Sequence, residues 1–343
     1  MIIHCYTSIS LSYLAKARVL AWSLKRFHPD WVLTVCITDR EPDGFVFDLE
    51  QEPFDRVIWG HELPITDFLL WVFMHDVVEA CTAAKGPVMQ LLMEQVNAEK
   101  IFYLDPDIAV FSSLQPLVDM LDESSILLTP HQLAPEQSRM AIIDNEQTSL
   151  RLGTYNLGFV GIRNDTSGRA FTRWWNDRLL EYCYDEPEQG IFVDQKWCDL
   201  VPALFDGVRI VRDPGYNVAS WNLSHRHISI TEGGDVLVNG NLLRFFHFTK
   251  LGPLGDLMTQ RYAQDNTEVY ELWAWYRRMI ERFTAPEIQD GWWYYGRFDN
   301  GEEITKPQRM QYRQRPDLQL AFPDPFTTVQ GGYFNWLNNP ESA

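Results

Sequence analysis

Apolar positions in the first hundred residues follow two repeats in alternation. Ile2–Tyr6 is a mostly apolar run and predicts a strand, with Thr7-Ser8-Ile9-Ser10 as the loop after it. Leu14, Ala17, Ala21 and Leu24 then recur on one face of a helix. Trp31–Ile37 predicts a second strand ending at Thr38-Asp39, and Arg56–Trp59 a third. Residues 67–95 read as mostly helical, with an interruption near Lys85-Gly86-Pro87. The aromatic and aliphatic run Ile101–Leu104 predicts a buried strand. Such alternation implies an α/β fold with a parallel sheet covered by helices on both faces.

The pattern loosens after Asp107. Ser125–Thr129 and Tyr155–Ile162 predict strands around a longer connection at 131–152. Phe171, Trp174, Trp175, Arg178, Leu179 and Tyr182 share a helix face. A meander follows: His227–Thr231, a turn at Gly233-Gly234, Val236–Val238, then Asn239-Gly240, a strong hairpin signal. Leu242–Phe248 reads as the returning strand and carries His247 near its end. From about residue 255 the composition shifts towards aromatics, arginine and proline. Leu272, Trp273, Tyr276, Met279, Ile280 and Phe283 predict an amphipathic helix there. The expected organisation is a main domain over 1–254 and a C-terminal, aromatic-rich helical appendage over 255–343, packed on it.

Composition narrows the function. A formal charge of −18 argues against nucleic-acid binding, which needs a positive surface, and against a basic patch docking on anionic lipid. The five cysteines are scattered and form no Cys-x-x-Cys pair, so neither a zinc knuckle nor a disulfide framework is indicated. The chain opens directly into a strand with no signal-peptide pattern, and its longest apolar run, Phe68–Met74, is too short to span a bilayer. The expectation is a cytoplasmic protein without a transmembrane segment.

The chemistry concentrates at Asp105-Pro106-Asp107, where the apolar run Ile101–Leu104 ends. Two carboxylates one residue apart point to the same side of an extended chain. At the carboxyl end of a sheet strand they stand where open α/β sheets bind ligands, and their repulsion is relieved by a hard divalent cation. A plain Asp-Pro-Asp turn is the other reading.

Several segments together resemble nucleotide-sugar glycosyltransferases of the GT-A fold, in particular the retaining family 8 group that includes glycogenin and bacterial galactosyltransferases. The resemblance covers about residues 1–252. Tyr103-Leu104-Asp105-Pro106-Asp107 is similar to that family's Asp-x-Asp motif. Tyr155-Asn156-Leu157-Gly158 resembles a strand whose Asn touches the donor sugar, and Asp194-Gln195 the pair beside the sugar's reactive carbon. Phe246-His247-Phe248 resembles the strand that supplies a third metal ligand. Thr7, Tyr13 and Lys85 fall in the regions that bind nucleotide and diphosphate. The family's lysine six residues after the His is replaced here by Pro253, which leaves Lys250 as a candidate for the same task.

The resemblance implies a mixed, Rossmann-like sheet and a transferase that takes a nucleotide-sugar donor, a UDP-sugar first, and a saccharide or other hydroxyl acceptor, with retention. Asp105, Asp107 and His247 would hold the metal, a donor set that suits Mn²⁺ better than Mg²⁺. Gln195 would stabilise the anomeric centre through its carbonyl, and Asp194 would bind sugar hydroxyls. Blander readings stand beside these: His247 as a satisfied strand histidine, Asp194 as a helix N-cap, Asn156 bonded to a neighbouring loop, Lys85 as an exposed lysine. Trp292, Trp293, Tyr294 and Tyr295 suit packing or an acceptor platform. Two rival functions remain, a sugar nucleotidyltransferase and a non-catalytic saccharide-binding protein.

Overall fold

The computed structural model of the chain describes residues 2–339. Its centre is a seven-stranded sheet built from β1 (Ile3–Ile9), β2 (Val32–Ile37), β3 (Arg56–Trp59), β4 (Lys100–Leu104), β6 (Ile126–Pro130), β7 (Tyr155–Arg163) and β8 (Val208–Ile210). The strand order is β8-β6-β7-β4-β1-β2-β3. A separate pair is formed by β5 (Ile108–Val110) and β9 (Phe245–His247). One face of the sheet packs on the helix Leu14–Phe27, and the other on the helices Lys85–Glu94 and Thr166–Tyr182.

The sheet is mixed, which corrects the purely parallel reading of the strand and helix alternation. β1, β2, β3 and β4 run parallel, whereas β7 runs antiparallel to both β4 and β6. The cause lies in the connection at 131–152. Its short helical turns do not cross the sheet, and they return the chain beside its point of departure, with Pro130 opposite Tyr155.

Three boundaries also move. β1 runs on to Ile9, so Thr7 and Ser8 are strand residues paired with Val35 and Cys36, not a loop. The helical region is interrupted at Ala84, just before Lys85-Gly86-Pro87 as expected, and also at Met74–Asp76. Asp76 caps the helix Val77–Ala83 in a reciprocal box with Glu79, while Pro87 sits in the first turn of the next helix, where a missing N–H costs nothing. Gly86 lets that helix approach its neighbour, since a Cβ there would lie 2.8 Å from the Asn176 Cα.

The returning strand splits in two. Asn241–Leu242 closes the meander against Val236–Val238, and β9 then pairs antiparallel with β5, His247 opposite Ile108. Beyond it, the helix Thr267–Phe283 buries Val269, Leu272, Trp273, Tyr276 and Met279. Tyr276 stacks flat on Phe248 with centroids 4.0 Å apart. Among the described residues, no helix is long and apolar enough to cross a membrane.

Candidate active site

β4 delivers Asp105 and Asp107 to the carboxyl edge of the sheet, and β9 delivers His247 to the same point. One ligand atom from each of the three lies within 4.8 Å of the others. The His247 Nε2 stands 3.0 Å from Asp107 Oδ1 and 3.5 Å from Asp105 Oδ2. Asp107 is 6% exposed, and Phe248 N–H donates to its backbone carbonyl at 2.8 Å. Burial works against the charge of His247, but the two carboxylates overcome it and raise its pKa above the ordinary histidine value. Burial likewise opposes the Asp107 charge, and His247 and Lys16 hold its pKa below the usual carboxylate range.

The tautomer of His247 follows from its other nitrogen. Gly158 N–H donates to Asn156 Oδ1 at 3.1 Å, which fixes that amide's orientation. Asn217 is oriented in turn by giving its NH₂ to Thr129 Oγ1 and Asn156 Oδ1. Nδ1 of His247 therefore faces two amide oxygens, Asn156 at 3.2 Å and Asn217 at 3.3 Å, and must carry a hydrogen. In the neutral ring the lone pair is left on Nε2, pointing at two carboxylates. That arrangement is repulsive unless a proton or a cation lies between them, and so the residues fit a divalent ion. Gly158 is required here: a Cβ would come within 2.4 Å of the His247 Cε1.

A second charged group adjoins the first. Lys85 is buried, with Nζ 2.9 Å from Asp194 Oδ2, 3.3 Å from Asp105 Oδ1 and 3.1 Å from the Leu157 carbonyl. It is held charged, because Asp105 and Asp194 outweigh the effect of burial. Asp194 is pushed up to about 6, by burial and against the pull of Lys85. The exposed-lysine reading of Lys85 is thus wrong. Gln195 donates through Nε2 to the Leu152 carbonyl at 3.0 Å, which leaves Oε1 as its unused acceptor. Immediately upstream, Val193 adopts a left-handed φ of 37°, rare for a β-branched residue.

The structure brings together Asp105, Asp107, His247, Lys85, Asp194 and Asn156. Tyr13 stands 40% exposed beside them, and its hydroxyl pKa is pushed up to about 12, first by burial and then by Asp107. Thr7 follows Tyr6, which pairs with Tyr103, and among the described residues neither Thr7 nor Lys250 forms a side-chain hydrogen bond or ion pair with these groups. Thr7 is fully buried within β1 with no hydrogen-bond partner, and Lys250 is an exposed turn residue with a left-handed φ of 57° and no ion pair. The sequence reading missed Lys16, Asn217, His131 and Trp221. Asn156 donates through Nδ2 to Nε2 of His131 at 3.2 Å, and Trp221 sits edge-on to His247 with centroids 5.6 Å apart. Asn217 between apolar neighbours was the available signal. The aromatic run docks on the end of β2: Asp39 accepts the Tyr294 N–H and Trp292 Nε1 donates to the Arg40 carbonyl.

Comparison with solved structures settles the architecture. The chain superposes on the galactosyltransferase LgtC, crystallised in complex with donor and acceptor sugar analogs, with a TM-score of 0.50 over 85% of this chain and 99% of that one. The fold is GT-A. At 14% identity the likeness extends to the fold alone. No family model matches the chain. Among curated proteins, the uncharacterized protein YfnF of Bacillus subtilis (strain 168) is 31% identical over 175 residues, 51% of this chain and 57% of YfnF. The uncharacterized protein YfnD of the same organism is 26% identical over 251 residues, 72% of this chain and 77% of YfnD.

Proposed function

We propose that the protein is a metal-dependent glycosyltransferase that moves a hexose or N-acetylhexosamine from a nucleotide donor, a UDP-sugar first, onto a hydroxyl acceptor with retention of configuration. The observation that carries this reading is the convergence of Asp105, Asp107 and the lone-pair nitrogen of His247 beside the Lys85–Asp194 pair. A divalent cation held by the triad, Mn²⁺ for this mixed oxygen and nitrogen donor set, would act as Lewis acid toward a diphosphate leaving group.

The chain's own residues divide the remaining work. Asp194 is engaged by Lys85 and accepts from sugar hydroxyls, so it is poorly free to attack carbon. Gln195 presents a carbonyl oxygen whose partial negative charge stabilises an oxocarbenium-like centre, while a neutral amide is too weak a nucleophile to displace the leaving group. Lys85 couples the two halves by touching Asp105 and Asp194 at once.

The deciding experiment is a panel of sugar nucleotides incubated with the protein and Mn²⁺. Slow hydrolysis of one donor, abolished by chelation, is expected, with NMR showing the donor's anomeric configuration kept in the first product. An inverted first product overturns retention. Saccharide binding without any Mn²⁺-dependent nucleotide binding returns the lectin reading, and synthesis of a sugar nucleotide from a nucleoside triphosphate returns the nucleotidyltransferase reading.

A further inference from the structure

A second cation, Lys16, stands close enough to Asp107 for the two charges to act on each other. Lys16 lies in the first turn of the helix Leu14–Phe27 and is half-buried, yet among the described residues its ammonium forms no ion pair and no hydrogen bond. The ammonium lies over the face of Tyr13, 3.7 Å from Nζ to the ring centroid. A cation removed from water without a counter-ion is costly, and cation–π contact compensates for little of that. Such a group is built to receive an anion.

Position follows from the packing of helix on strand. Ser23 accepts the backbone N–H of Val110 at 3.0 Å, and Val19 packs in one cluster with Ala109, Phe248 and Tyr276. Stepping back from Ser23 to Lys16 covers about 10 Å of helix, and stepping back from Val110 to Asp107 covers about 10 Å of strand. Lys16 therefore stands level with Asp107. Each also shifts the other's ionisation: burial lowers the Lys16 pKa, with Asp107 opposing. The Tyr276 hydroxyl is buried in the same corner without a hydrogen-bond partner and feels the charges of Asp107 and Tyr13.

We propose that Lys16, at the amino end of the first helix, is the cation that grips the diphosphate of the donor, with Tyr13 and Tyr276 walling the same corner. The helix's own unpaired N–H groups and positive dipole end add to its attraction for phosphate. Lys85 is unsuited to that task, since Asp105 and Asp194 already claim its charge, and Lys250 lies on an exposed turn. The assignment rests on the proposed function, which supplies the diphosphate.

Calorimetry with two probes, Mn²⁺ alone and UDP in saturating Mn²⁺, tests it in Lys16→Gln and Lys250→Gln. Lys16→Gln should melt like the parent and bind Mn²⁺ alone as tightly or more tightly, because a repelling charge has gone. The same variant should bind UDP with Mn²⁺ about tenfold more weakly or worse. Opposite signs for the two probes are not what a structural lesion gives. Unchanged UDP affinity in Lys16→Gln, or the loss appearing in Lys250→Gln instead, overturns the proposal. A parent protein that binds pyrophosphate with Mn²⁺ but no UDP removes the nucleotide-sugar reading and leaves Lys16 testable with pyrophosphate. Binding of neither removes both.

Discussion

The side-chain oxygen of Asn156 stands 3.2 Å from Nδ1 of His247 and accepts the Gly158 N–H as well. A backbone group thereby fixes an amide, the amide fixes a tautomer, and the tautomer aims a lone pair at Asp105 and Asp107. Asn156 is thus placed to orient His247.

Removing that amide tests the relay. Asn156→Ala removes the nearer of the two amide oxygens that hold Nδ1 of His247 and one of the two groups that orient Asn217, so the ring is less firmly fixed. We expect Mn²⁺ affinity to fall by roughly 10- to 100-fold, the range usual for partners of metal-binding histidines. Titration calorimetry in the absence of nucleotide is the measurement, and undiminished affinity would refute the relay.

Asp107→Ala should abolish Mn²⁺-dependent UDP binding while leaving the metal-free protein close to its original melting temperature. His247 loses its nearer carboxylate in that variant but can shed its proton and remain neutral. A large drop in melting temperature without ligand would show Asp107 to be structural.

Gly158→Ala probes the same place sterically. The new Cβ collides with the His247 ring, and either the ring or β7 must shift. Overpacking of this kind costs about 1–3 kcal/mol. Metal binding should be lost along with part of the stability, and Ala at this position retaining full Mn²⁺ affinity would show that the ring has room.

Acid sensitivity has a separate origin in His28. It is buried, stacks on Trp31 and accepts the Leu114 N–H through Nε2, so it must stay neutral in the fold. Its pKa is lowered to about 4 by burial, with Asp30 opposing. The unfolded chain takes up a proton near pH 6.5 and the folded one does not. Stability is therefore full above that value and declines between about 6.5 and 4, by roughly 2–3 kcal/mol. Melting curves over this range should be flatter by about one proton in His28→Gln, and identical slopes would locate the acid sensitivity elsewhere.

Much of this was legible in the sequence because the relevant signals are local. Asp105 and Asp107 follow an apolar run that can only be a buried strand, and the alternation up to residue 104 gave β1, β2, β3 and β4. What escaped were features set by distant partners. β7 has the same composition whichever way it runs, and its direction depends on the connection at 131–152. Thr7 and Ser8 look like loop residues but complete the central strand, since β2 and β4 flank β1 on both sides. Lys16 reads as an ordinary solvent-facing helix residue until Asp107 and Tyr276 are placed around it. His247 was recognisable by resemblance, but its tautomer depends on Asn217, sixty-one residues from Asn156 and thirty from His247.

The Phe248–Tyr276 stack has a consequence for how the protein is made. β1 and β4 can pair once the first hundred or so residues have emerged, yet the ring that stacks on Phe248, next to His247, arrives some 170 residues later. At ordinary rates of synthesis that interval lasts on the order of ten to thirty seconds. Until His247 emerges, Asp105 and Asp107 stand at an open edge with no histidine beside them, and until Tyr276 follows there is no wall behind. Lys85 has emerged by then and can pair with Asp105, so Asp107 is the carboxylate that waits for His247.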